Sequence, residues 1–267
     1  MRKGSGEKFV YWLCATLFAL TVIVLYAPIL VNALLSVVPR KVGALQWGQA
    51  GADAYLSLFA NEDLMQSLFA SVVVALSASI LSSIVAVAIA LYLDSKFAAG
   101  RRIIEMLIYL PFIMPSMITG LALLIYFTAF AIPMSLMTVT VGHTIFVLAI
   151  TYRLTSVRLY NLSPSLREAS RDLGADGWQT FRHVIFPHLK PAILSGVLFA
   201  AAISIDETLI TLFLSGDRMT LPIRLWSMLR VGLTQEINAL VTLVILCTLA
   251  VALFGLRIWR RSGKLEF

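Results

Sequence analysis

Charged side chains are missing from four long stretches of this chain: between Lys8 and Arg40, Asp63 and Asp94, Glu105 and Arg153, and Glu236 and Arg257. About 20 apolar residues in helical form cross a bilayer core, so these stretches hold one, one, two and one spans in turn. A shorter uncharged run, Pro191 to Ile205, continues through Asp206 and Glu207 into apolar Leu209 to Leu214 and makes a sixth span, the one that carries acid groups. The pattern predicts spans near 9–35, 64–93, 103–130, 135–157, 190–214 and 236–258, an all-α integral membrane fold with six transmembrane helices.

Local chemistry refines these elements. Ser36 to Asp63 is an external connection with turn residues at Pro39, Gly43, Gly48 and Gly51 and a short helix or interfacial patch around Trp47 and Tyr55. Span two is dense in Ser and Ala, which lets helix backbones approach and places it centrally in the bundle. Span three carries Pro111 and Pro115 followed by Gly120, so a kink or break is expected near its cytoplasmic third. Cys14 and Cys247 fall within spans and read as small core hydrophobes without a disulfide role.

Composition agrees: 60% hydrophobic residues, 13% charged and a mean hydropathy of +0.90 lie outside the soluble globular range. The first apolar run is longer than a signal peptide's, so an uncleaved span is expected. Lys and Arg set the orientation. One side collects Arg2, Lys3, Lys8, Lys96, Arg101, Arg102, the basic residues from Arg153 to Lys190, and Arg257 to Lys264. The other holds Arg40, Lys41, Arg218, Arg224 and Arg230. The positive-inside rule then makes both termini and the long loop before span five cytoplasmic. The net charge of +7 is thus a topology signal, and no nucleic-acid partner is expected, because the basic residues flank spans instead of forming a basic domain.

That loop, about 161–189, contains "LREASRDLGADGWQTFRHVIFPHLKP". Ser163-Pro164 fits an N-cap with proline at the first helical position, and Gly174 fits the residue just past a helix end. Leu162, Leu166, Ala169 and Leu173 share one stripe, while Arg167, Arg171 and Asp172 point elsewhere. Asp176 can cap a second short helix carrying Trp178, Phe181 and Val184 and ending before Pro187. Such a helix, turn, helix element suits either a partner protein that covers its apolar stripe or a seat on the lipid surface.

Glu168-Ala169-Ser170, then Gly174 and Ile185-Phe186-Pro187, resembles the "EAA" loop of membrane subunits of bacterial ATP-binding-cassette importers of the type I fold. Ser170 stands for the second alanine and Phe186 for leucine. "HTIFVLAITYRL", the loop with its following span, and "TLPIRLWSMLRVGLTQEINAL" look like the spermidine/putrescine branch, closest to its second, "C-type" permease. The resemblance covers most of 60–255; Gln235 and Ile205-Asp206-Glu207 depart from it, where relatives have proline and two consecutive aspartates.

The resemblance implies a type I importer transmembrane domain whose loop is a coupling helix, with Glu168, Ala169, Ser170, Leu173 and Gly174 coupling to an ATPase dimer. It implies a second homologous permease, a heterodimer being expected, and an extracytoplasmic substrate-binding protein. ATP and Mg would sit on the partner ATPase, leaving this chain without a cofactor and without enzyme activity; it also lacks a G-x-x-x-x-G-K-[ST] phosphate loop. The division expected is 1–63 for the first span and external connection, 64–258 for the core transmembrane domain and 259–267 for a cytoplasmic tail.

Asp206 and Glu207 lie roughly 23 Å along span five from Pro191, in the outer part of the membrane. Acids at that depth face an aqueous path or a partner charge. They either line a cation pathway or gate, or pair with Arg218, Arg224 or Arg230. Thr220-Leu221-Pro222 marks chain re-entry before a short external amphipathic helix. His143, His183 and His188 are too dispersed for a metal site, and no nucleophile, base and orienter set is legible. Polyamine import leads; opines or other amino-acid derivatives, ferric iron or phosphonate are alternatives within the importer class, and a proton-coupled secondary transporter is the alternative outside it.

Overall fold

The computed structural model describes residues 5–41, 44–95, 98–232 and 234–262; Arg2, Lys3, Gly43, Lys96 and Lys264 lie outside the described residues. The chain forms two compact units, one of residues 1–62 with 227–267 and one of residues 63–226.

In the first unit, α1 (Ser5–Val37) packs along α12 (Gln235–Ser262). Asn32 fastens this pair by donating to the Asn238 carbonyl at 3.2 Å and to Thr242 Oγ1 at 3.0 Å. The external connection is more ordered than its turn residues suggest. Antiparallel two-residue strands β1 (Arg40–Lys41) and β2 (Ala44–Leu45) pair, a 3-10 turn spans Trp47–Gln49, and α2 (Asp53–Ala60) follows. Tyr55 reaches back to Ser36 at 2.8 Å. Cys14 and Cys247 are free, but they are exposed on their helices and do not fill a core. An α1 whose apolar residues nearly all face outward offers no interior for Cys14.

The second unit is built on α3 (Glu62–Asp94), α4 (Arg101–Ile113), α5 (Ser116–Ala129), α6 (Leu136–Tyr160) and α9 (Phe186–Asp206). The small residues of α3 form one buried face, with Ala78, Ser79, Ser82 and Ala86 fully enclosed, while Phe69 and Ile84 on its other face are exposed. Thr151 of α6 donates to the Ser82 carbonyl at 3.3 Å, an approach that small side chains permit. Near one end Ala86, Ala90 and Leu93 pack with Ile108, Tyr152 and Leu189; near the other Val74 packs with Phe127, Val139, Ile210 and Leu214.

Four helical stretches are long and apolar enough to cross a membrane: Lys8–Val37, Glu62–Asp94, Leu136–Tyr160 and Gly177–Asp206. A fifth crossing arises if α4 and α5 are taken together, although they bend by 108°. The sixth expected span falls on α12, which is apolar over the portion Gln235–Ala250. The break in span three falls where prolines predict it. Pro111 sits inside α4 and Pro115 precedes α5 with extended backbone, and neither can donate a helical hydrogen bond.

Span five departs from expectation twice. No helix ends before Pro187: α8 (Gly177–Thr180) runs through a π turn, Phe181–Ile185, into α9. Phe186 N donates to the Phe181 carbonyl, and this wider turn makes room for the proline ring that a regular helix would set against its preceding turn. At the other end α9 stops at Asp206, Glu207 is extended, and α10 (Leu209–Leu214) is a separate short helix. The acid pair therefore sits at a helix break and not within a continuous span.

Candidate functional site

The loop before α9 starts and turns where its punctuation predicts, although Ser163 Oγ pairs with Ser165 Oγ at 2.6 Å and caps no backbone N–H. Helix α7 (Pro164–Asp172) has Ser163 at its N-cap and Pro164 in its first turn. It ends in a Schellman motif: Gly174 N donates to the Arg171 carbonyl at 2.8 Å and Ala175 N to the Ser170 carbonyl at 3.1 Å. Gly174 has φ +81, and a Cβ there would meet no atom within 4 Å, so glycine is required by the backbone and not by space. The capping box of α8 joins Asp176 Oδ1, which accepts from Gln179 N at 2.7 Å, to Gln179 Oε1, which accepts from Asp176 N at 2.9 Å.

The helix faces are the informative part. Leu166, Ala169 and Leu173 all point away from the chain, Leu173 being 89% exposed, and Glu168 is exposed beside them. Arg167 and Ser170 point inward instead. Ser170 is buried and shares a 3.0 Å hydrogen bond with buried Thr180, so the hydroxyl that replaces alanine has a partner waiting on α8. Leu162, grouped with the stripe on spacing, is buried ahead of the helix. A helix that turns Arg167 and Ser170 to its own protein, and Leu166, Ala169 and Leu173 outward among exposed Glu168, Arg171 and Asp172, leaves an apolar stripe with a polar border for something else to cover.

The loop's two stems are clasped reciprocally: Arg158 Nε donates to the His188 carbonyl at 3.0 Å, and His188 Nε2 donates to the Arg158 carbonyl at 3.0 Å. Sequence reasoning grouped His188 only as one of three dispersed histidines. Nothing local marks a contact made 30 residues apart.

The second set lies about 30 Å away along α9, at its far end. The two acids there differ. Glu207 is half-buried, and its Oε1 accepts from Leu209 N at 3.0 Å and Ile210 N at 3.1 Å, which satisfies the first donors of α10. Asp206 is exposed and carries no ion pair among the described residues. Of the three arginines expected as possible partners, Arg218, Arg224 and Arg230, none pairs with either acid among the described residues, and Arg224 instead meets Asp63 at 2.7 Å. That pair lines a cleft of about 740 Å³ together with Gln66, Phe69, Asp217 and Arg218, at the end of α3 away from the loop.

Beneath the break is a network that the sequence did not announce. His143 of α6, 1% exposed, bridges Ser204 of α9 through Nδ1 at 2.7 Å and Thr211 of α10 through Nε2 at 2.9 Å. Thr211 Oγ1 spends its hydrogen on the Glu207 carbonyl at 2.9 Å, so Nε2–H donates to Thr211 and Nδ1 accepts from Ser204. A neutral imidazole satisfies every member of this chain. Close packing seats α10 as well: a Cβ on Gly142 would come within 2.8 Å of Ile210 and Leu214, and one on Gly120 within 2.9 Å of Phe213.

The chain is 32% identical over 253 residues to the putrescine transport system permease protein PotI of Escherichia coli (strain K12), covering 91% of this chain and 88% of that protein. It is 29% identical to the spermidine/putrescine transport system permease protein PotC of Haemophilus influenzae, over 90% of this chain and 93% of that one. Among solved structures it superposes on a chain of a bacterial ABC transporter that imports alginate, with TM-score 0.75 at 15% identity, covering 96% of this chain and 99% of the other. The model of the family described as binding-protein-dependent transport system inner membrane component matches residues 86–261. This chain therefore belongs to that family: it is a multi-pass inner-membrane permease subunit with the fold of an ABC importer transmembrane domain, and not an enzyme.

Proposed function

We propose that this permease subunit imports a polyamine of the spermidine/putrescine class, and that it is driven through α7 by an ABC ATPase dimer. The observation that carries the coupling role is the outward face of α7, where Leu166, Leu173 and exposed Glu168 have no cover from their own chain. Ala169 and Gly174 complete that role, the first by its small bulk on the same face and the second by ending the helix. Ser170 contributes from the inner side by holding α7 to α8.

A second homologous permease supplies the other half of the pathway, an extracytoplasmic binding protein delivers substrate, and ATP and Mg remain on the ATPase. Both termini and the coupling loop are cytoplasmic, which the Lys and Arg distribution supports. In the pathway the acid pair divides its work. Asp206 attracts the ammonium groups of the substrate, while Glu207 shapes the break by capping α10. The polyamine reading draws on the names of the two relatives and on the exposed carboxylate. A relative at 27% identity, a putative 2-aminoethylphosphonate permease of Salmonella typhimurium, supports a second amine-bearing ligand as the competitor to test.

The test is ATP hydrolysis by the complex that co-purifies with the tagged chain in lipid, with binding protein loaded with spermidine, putrescine or 2-aminoethylphosphonate. Stimulation by the polyamines alone is expected. Stimulation by the phosphonate alone would reassign the substrate, and absence of an ATPase from an intact preparation would remove the coupling role.

A further inference from the structure

Helix α7 meets α3 across an open cleft of about 900 Å³, lined on one side by Leu91 and Asp94 and on the other by Arg167, Arg171, Thr180 and Ile185. One ion pair spans it: Arg167 Nη1 donates to Asp94 Oδ2. Asp94 is the last residue of α3, where a carboxylate faces the negative end of the helix dipole and is unfavourable without a cation. The two side chains stay 22% and 31% exposed, so the pair contributes little to stability. Its geometry is another matter. Helix α3 is a continuous rod of 33 residues, roughly 50 Å, without proline. Its far end carries Asp63, which holds Arg224 at the cleft there.

We propose that Arg167 is the positioning residue through which the coupling loop moves α3: its grip on Asp94 passes displacement of α7 along the rod to the cleft at its far end. The inference rests on the coupling role given to α7 above. It adds that the inner face of α7 transmits what the outer face receives. The Arg158 and His188 clasp keeps the loop's stems together so that α7 moves as a unit against α3, while the Ser170–Thr180 bond keeps α7 and α8 in register.

The experiment measures the distance between spin labels at Phe69→Cys on α3 and Met137→Cys on α6, both side chains exposed, in a Cys14→Ser, Cys247→Ser background of the full membrane complex. Distances are taken without nucleotide and after vanadate trapping of the ATPase. The intact pair should give a distance change on trapping. Arg167→Ala and Asp94→Ala should abolish it while the ATPase stays bound and turns over. The exchanged pair, Asp94→Arg with Arg167→Asp, should bring it back.

A full distance change in either single variant would overturn the proposal, as would an exchanged pair that folds and binds ATPase but leaves the change absent. Failure of the coupling reading looks different: the ATPase would then fail to co-purify with the unaltered chain. If polyamine uptake is measured in parallel, the single variants should lose at least about five-fold in substrate moved per ATP, the low end of coupling between distant sites.

Discussion

Adjacent carboxylates in a membrane segment invite a single shared role, yet Asp206 and Glu207 are asymmetric because only one of them is engaged by backbone. Glu207 holds two amide donors of α10, so Glu207→Ala should destabilise the protein by about 1 kcal/mol, the usual cost of a lost helix cap. Glu207→Gln keeps an acceptor oxygen and should restore most of that. Thermal unfolding in detergent measures both. Asp206→Asn should leave unfolding unchanged and weaken polyamine uptake; an unfolding loss in Asp206→Asn equal to that in Glu207→Ala would remove the asymmetry. His143→Ala strands the Ser204 hydroxyl, leaves Thr211 with only its bond to the Glu207 carbonyl, and opens a void. It should cost about 2–4 kcal/mol by the same measurement, since each orphaned buried polar group alone costs about 1–3 kcal/mol.

Elements carry the next layer, and here sequence and structure agree most closely. The Schellman end of α7 depends on Gly174, where a side chain at positive φ costs about 1–2 kcal/mol in strain. Open space around it means that nothing else changes. Gly174→Val should therefore leave the bundle folded, redirect Leu173 and lower ATP-driven uptake more than it lowers stability. Normal uptake together with normal ATPase association would dismiss the coupling role of this turn. At Gly142 the constraint is reversed, because space is what glycine supplies there. Gly142→Leu should expel α10 from its seat and lower expression and thermal stability together. The broken third span and the π turn before Pro187 belong to this scale too: each is a place where proline denies a backbone bond and the helix changes register or direction.

At the scale of the molecule, the charge distribution supports the proposed cytoplasmic orientation of the coupling loop. In a Cys14→Ser, Cys247→Ser background, Leu173→Cys should react with a membrane-impermeant maleimide in inverted vesicles and stay protected in intact cells. Labelling from the outside would reverse the topology. Added ATPase should also shield this position, because Leu173 is the most exposed leucine of the uncovered apolar stripe.

Much of this protein is written locally in its chain. The helices near the six apolar stretches, the start of α7 at Ser163-Pro164, the cap at Asp176, the turn at Gly174 and the break at Pro115 all follow from chemistry within a few residues. The sequence by itself determined these features because hydrophobic runs, caps, glycine and proline act on their immediate backbone. Only the tertiary structure decided which acid of the pair is free, which face of α7 looks outward, and that Ser170 meets Thr180. It alone joined His143 to residues 61 and 68 positions away and Arg167 to one 73 positions away. Those pairings depend on how helices pack side by side, and helical periodicity records which residues share a face without recording what that face will meet.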